Sequence, residues 1–293
     1  MRAFNNIHPI AAFLYFAALI FSAMFLNHPV ILAEVFLGGI LFLLVLTGVR
    51  DFLNDFVFYL LFFITIALFN PLFSHSGITP IFFLNGNPIT LESILYGVSA
   101  AAMIVGVIFW FGCFSRVITG DKFIYLFAKT VPKLSLILSM ALRFIPVYMR
   151  QIEKINRTQK AMGLYSSKNI FKRIKNGGRV FFIILSWALE NAVGTADSMR
   201  ARGYGLKGRT NYSLFKFQKK DAAFLFSFAF LFSIFILLFF SGSGYFNYYP
   251  EITPVKLDLL SLLFYIIFGI IAFIPFILET EENLRWNYLI SKI

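Results

Sequence analysis

SILYGVSAAAMIVGVIFWFGCF, residues 93–114, is an apolar run without a single Asp, Glu, Lys or Arg. A helix needs about 20 such residues to cross the hydrocarbon core of a bilayer. The run shows no period-2 alternation, which leaves a helix, able to satisfy its own backbone, as its form in lipid. At Ser115 the character reverses. Ser115–Asp221 holds 21 Lys and Arg against 5 acidic residues, a local charge of +16 on a chain whose total is +12. The junction at 114/115 therefore divides a membrane segment from a strongly basic aqueous one.

Five more apolar stretches of spanning length lie on either side: Ile10–Leu26, Val30–Val49 and Phe52–Phe69 before it, Ala222–Phe240 and Leu259–Leu278 after it. The chain is 59% apolar and only 14% charged, whereas soluble domains run at about 45–50% and about 25%. The first apolar stretch is expected to be a retained span rather than a signal peptide, because no small-residue cleavage site follows it. Threading six spans around the basic segment places 25 of the 26 Lys and Arg on one side, with Lys256 alone on the other. By the positive-inside rule that side, with both termini, is cytoplasmic. Three regions follow: a four-span membrane region over 1–114, a basic region over 115–221 and a two-span membrane region over 222–293.

The basic region reads as structured. Leu134–Lys160 has an apolar start and a charged end, with an interruption at Pro146. Arg179–Tyr204 is a second helix of the same polarity, whose Ala188, Ala192, Thr195, Ala196 and Met199 form a face of small residues suited to close helix approach. Between them Ser166–Gly178 (SSKNIFKRIKNGG) carries the Lys, Arg and Gly of an exposed turn. In the link between spans three and four, Asn85-Gly86 flanked by Ile81-Phe82-Phe83-Leu84 and Ile89 predicts a small hairpin or interfacial turn. The fold class is thus an all-α membrane protein, with about six transmembrane helices and two long cytoplasmic helices between spans four and five.

Catalytic patterns are missing. His8, His28 and His75 have no metal-ligand spacing, and the single Cys113 allows neither an intramolecular disulfide nor a cysteine cluster. No P-loop and no nucleophile-elbow sequence occurs, so ATP hydrolysis by this chain in the usual way is excluded. Glu34 and Asp55 fall close to span ends, within reach of headgroups. Arg143, in the apolar half of its helix, reaches the interface or fixes the bend at Pro146. The most informative stretch is 188–209, ALENAVGTADSMRARGYGLKGR. Its helix ends at Ala201-Arg202-Gly203, with a guanidinium able to reach past the end to a partner's carboxylates or carbonyls. The charge alone would also suit nucleic acid, but anionic headgroups account for it more simply.

The order of these motifs resembles that of the transmembrane T component of energy-coupling factor (ECF) transporters, the family that includes CbiQ-type cobalt permease subunits. The likeness runs through Asn70-Pro71-Leu72-Phe73 with Gly77, Pro132-Lys133, Leu138-Ser139-Met140, Arg143-Phe144-Ile145-Pro146, Ile155 and Gln159, then Leu189-Glu190-Asn191-Ala192 and Met199-Arg200-Ala201-Arg202-Gly203-Tyr204-Gly205. The resemblance implies a non-catalytic subunit of the prokaryotic plasma membrane. Its two long helices would be coupling helices, each ending in an Ala-Arg-Gly motif docked on an ABC-type ATPase. ATP and Mg would belong to those two ATPases, this chain would hold no cofactor, and a small membrane (S) subunit would bind a vitamin or transition-metal ion. The second motif, Ala201-Arg202-Gly203, is intact; the first reads Ala161-Met162-Gly163, with Met for Arg. Arg157 and Lys160 lie within about one turn and would supply charge there, as Arg200 would beside Arg202. The competing classes are a self-sufficient carrier, which wants polar broken helices at the midplane, and a membrane enzyme, which wants convergent acid and base groups.

Overall fold

A computed structural model describes residues 4–74, 76–84, 87–128, 131–163, 170–204, 206 and 215–291. Among them the α-helices are α1 (Pro9–Phe25), α2 (Pro29–Thr47), α3 (Val49–Phe73), α4 (Leu91–Val117), α5 (Gly120–Ala128), α6 (Pro132–Ala161), α7 (Ile170–Ala201), α8 (Lys219–Leu238) and α9 (Leu259–Ile290). An antiparallel pair, β1 (Pro80–Leu84) and β2 (Asn87–Thr90), fills the link between α3 and α4. This is the hairpin expected there; its Asn85-Gly86 turn lies outside the described residues. Pro9, Pro29 and Pro132 each start a helix, where a missing N–H costs nothing and the fixed φ is already helical.

The chain forms two compact units, residues 1–119 with 215–293, and residues 120–214. In the first, α1, α2, α3, α4, α8 and α9 pack around a buried aromatic core. Trp110 of α4 is fully buried among the rings of Tyr15, Phe16 and Phe42, and its indole N–H donates to the Val35 carbonyl at 2.9 Å. Two glycines let these helices touch: a Cβ on Gly39 would lie 3.0 Å from Cβ of Phe109, and one on Gly97 would lie 2.6 Å from the Ala67 carbonyl. Buried carboxylates fasten the segment before α1. Glu279 accepts the Phe4 N–H at 3.1 Å, and Asp221 accepts the His8 N–H at 2.9 Å. These contacts gather the start of α1, the start of α8 and the late turns of α9 at one end of the bundle. The opposite end holds the α1–α2 turn, the hairpin and the loop between α8 and α9. There Tyr248 O–H donates to Ser99 Oγ at 2.7 Å, and His28 packs on Phe246 and Tyr265.

The protein is an all-α membrane protein. Among the described residues seven helices are long and apolar enough to cross a bilayer, which differs from the six-span reading in three helices. α1, with 17 residues, is slightly short, while α6 and α7 qualify with mean hydropathies of 1.2 and 1.3, about half those of the other five. Two boundaries also differ. α6 runs unbroken through Pro146: proline removes only the N–H bond that would go to the Leu142 carbonyl, and its fixed φ is compatible with the helical path. α7 starts at Ile170, so residues 170–178, expected as a turn, are helical. Gly177 and Gly178 weaken a helix by about 1 kcal/mol each, too little to stop one of 32 residues.

Candidate functional site

The second unit is built on α6 and α7. Tyr148 packs edge-on against Trp187, ring centroids 5.7 Å apart. Two and three turns further along α6 lie Ile155 and Gln159, equally far back along α7 lie Val180 and Asn176, and all four are buried. The register is antiparallel. In the other direction the helices border a groove of about 590 Å³ whose lining includes Ser139, Arg143, Glu190, Asn191, Arg202 and Tyr204. The α7 face turned to this groove is Trp187, Glu190, Asn191, Gly194, Thr195, Ser198, Met199 and Arg202, which shares only Thr195 and Met199 with the small-residue face expected.

Both helices end in the same way. At α7 the Gly203 N–H returns to the Arg200 carbonyl at 3.0 Å and the Tyr204 N–H to that of Met199 at 3.1 Å, with Gly203 at φ +77°. That is a Schellman cap: a left-handed residue after the last helical turn redirects the chain and occupies otherwise unpaired carbonyls. At α6 the Gly163 N–H returns to the Lys160 carbonyl at 3.0 Å, with Gly163 at φ +75°. Met162 and Arg202 therefore hold the same backbone position, after Ala161 and Ala201. Met162 is 70% exposed. Arg202 is exposed too and enters no ion pair or side-chain hydrogen bond among the described residues.

The structure joins some of the predicted residues and separates others. Arg143 and Arg202 border one groove with Glu190 between them. Arg157 and Lys160 instead line a shallow hollow on α6 with Met149 and Glu153, and Arg157 is paired with Glu153 one turn back, both largely exposed. Arg200 is exposed in the last turn of α7, and Pro146 lies mid-helix in α6. Because the helices are antiparallel, Arg202 sits alongside the first turns of α6 and Met162 at its far end. By the Tyr148–Trp187 register Arg202 falls opposite the start of α6, so at 1.5 Å per residue the two caps are roughly 44 Å apart along α6. No group of three or more His, Cys, Asp or Glu among the described residues forms a metal-binding set. Glu34 does not turn to headgroups as expected; its carboxylate faces α9, 3.3 Å from the Cβ position of Gly269.

The family model for CbiQ, a cobalt transport protein, matches residues 3–212, an interval that includes both caps. The chain belongs to the CbiQ cobalt transport family. The curated relatives it matches carry the name energy-coupling factor transporter transmembrane protein EcfT. That of Listeria innocua is 40% identical over 103 residues, 34% of this chain and 39% of the relative. That of Staphylococcus aureus is 39% identical over 98 residues, 33% and 37%, and that of Lactococcus lactis 36% over 94, 31% and 35%. The matched stretch spans less than two-fifths of these relatives' length. Its family and its apolar helices make it a multi-pass membrane protein.

Proposed function

We propose that this chain is the transmembrane coupling (T) subunit of an ECF-type ABC importer. Two ABC-type ATPases grip the ends of α6 and α7 and hold the ATP and Mg. A small S subunit binds a vitamin or transition-metal ion, and movement of the two grips is passed to it through the basic unit. The chain itself catalyses nothing. The observation that carries this reading is the pair of glycine caps: a left-handed glycine at two helix ends roughly 44 Å apart, each following an exposed side chain. A partner that must be dragged by a lever needs a firm, oriented contact. A guanidinium closing on a partner carboxylate in a desolvated pocket supplies one.

The charge distribution supports a cytoplasmic site in a prokaryotic plasma membrane. In the first unit Arg50, Arg116, Lys219 and Lys220 belong to the end where α1 and α8 start, and Lys256 to the other. The positive-inside rule makes the first end cytoplasmic, the side on which ATP is available.

Affinity purification in mild detergent tests the proposal. The wild type should bring down two ABC-type ATPase chains, and Arg202→Glu should reduce their recovery at least about tenfold, as loss of a central charged anchor does. Met162→Glu should weaken one contact, and Met162→Arg should strengthen it. A wild type that purifies alone, in a detergent that preserves comparable complexes, would defeat the reading.

A further inference from the structure

The hairpin between α3 and α4 has no part in the coupling role, yet its surface is unusual. Ile81 and Phe83 are 56% and 67% exposed, and Phe82, which points to the other face of the strand, is 47% exposed. Ile89 of β2 alone among the hairpin's described large apolar side chains is buried. An isolated two-stranded ribbon is marginal in water, and exposed edge strands normally carry charge. This one does neither. From Phe56 to Leu91 there is no Asp, Glu, Lys or Arg, so the spanning part of α3 and the hairpin make one uncharged stretch. The apolar surface continues from Leu68, Phe69, Leu72 and Phe73, exposed on the last turns of α3, itself a helix of spanning length.

Two further features fit an apolar medium. Pro80 and Pro88 have no N–H to satisfy, which lowers the cost of removing a ribbon edge from water. The hairpin is also held at a fixed height. Glu92, in the first turn of α4, accepts from Thr79 Oγ1 at 2.8 Å and from the Thr79 N–H at 3.3 Å. Thr90 Oγ1 donates to the Ser76 carbonyl at 2.7 Å, and the Leu91 N–H to the Thr79 carbonyl at 3.0 Å. Both strands are thus latched to the start of a membrane span.

We infer that this hairpin is a lipid-binding wedge: Ile81, Phe82 and Phe83 insert into the interfacial zone of the leaflet at the α3–α4 end and are covered by acyl chains. A partner protein would cover one face of the ribbon, whereas both faces are apolar, and continuity with the lipid-facing side of α3 selects lipid. The inference stands independently of the ATPase contacts.

Single-cysteine spin labelling tests it. The chain carries only Cys113, which is buried, so Ile81→Cys and Phe83→Cys can be labelled in the full-length protein. Glu251→Cys, in the exposed loop at the same end, is the aqueous control. In vesicles of phosphatidylcholine and phosphatidylglycerol, labels at 81 and 83 should collide with oxygen several-fold more, relative to a water-soluble nickel chelate, than the label at 251. A nickel-dominated response at 81 and 83 would place the hairpin in water and overturn the inference. So would shielding from both reagents that arises only when partner subunits are co-purified, since that would identify a protein dock.

Discussion

Replacing Gly77 by alanine should unlatch the loop that leads into the hairpin, and the structure sets the size of the effect. Gly77 has φ +133°, and holding a residue with a side chain there costs about 1–3 kcal/mol. Its new methyl would also fall 2.5 Å from Glu92 Oε2 and 2.7 Å from Thr90 Oγ1, overlaps worth about a further 1–3 kcal/mol when neighbours must shift. Neither neighbour is free to move away, since both are buried and both make the latch bonds. The expected total is about 2–6 kcal/mol. Gly48 is the control: it too has a positive φ, +83°, but nothing lies within 4 Å of its Cβ position, so Gly48→Ala should cost about 1–2 kcal/mol. Thermal denaturation in detergent, followed by size-exclusion recovery, should show Gly77→Ala lowered by on the order of 10 °C and Gly48→Ala by about 3 °C, at 2–4 °C per kcal/mol. Equal losses for the two variants would refute the steric argument, because backbone strain alone would then explain both.

Trp110→Ala should destabilise the first unit by about 3–5 kcal/mol through the cavity it leaves, whereas Trp110→Phe should cost on the order of 1 kcal/mol for the lost hydrogen bond to Val35; melting temperatures of the purified variants check the ranking. The third prediction concerns His28. Tyr265 O–H lies 3.3 Å from the Lys256 carbonyl and 3.1 Å from His28 Nε2. With the hydroxyl donating to the carbonyl, Nε2 must carry the proton given to Tyr265, leaving Nδ1 a bare buried acceptor. Burial lowers the His28 pKa to about 4. The unfolded chain, with an ordinary value near 6.5, takes up a proton that the folded chain refuses. Stability from this group is therefore complete above pH 6.5 and is lost as pH falls toward 4. Melting curves between pH 7 and pH 5 should slope downward in the wild type and be flatter in His28→Gln; parallel slopes would remove His28 as the cause.

Much of this fold is written in composition. Runs such as 93–114 admit one structure in lipid, and α1 to α4, α8 and α9 coincide to within two residues at their ends with, or contain, the six stretches read from hydropathy. The start of α7 was hidden because Asn176-Gly177-Gly178 has the chemistry of a turn, and only its place inside a helix of 32 residues overrides that local preference. The continuity of α6 was hidden for a related reason, since Pro146 forbids one hydrogen bond but not the helical path. At the caps, Gly163 and Gly203 were legible as terminators. The groove that brings Arg143 beside Arg202 was not, because it depends on the register between two helices far apart in sequence. The carboxylates of Glu92, Asp221 and Glu279 were also invisible as latches. A lone acidic residue at a span end looks the same whether it meets water or receives a buried backbone N–H.

The two helix caps separate what shapes a joint from what grips with it. The turn after α7 is drawn by a glycine and two backbone hydrogen bonds, the turn after α6 by a glycine and its bond back to Lys160, and neither Met162 nor Arg202 contributes a side-chain atom to them. Residues at those positions can be exchanged without redrawing the scaffold. In a complex with two motor subunits such a chain would be keyed: one end offers a soft thioether, the other a rigid cation. Turning the pair of motors by half a revolution would then give a different assembly, and motors that were otherwise identical would acquire a left and a right.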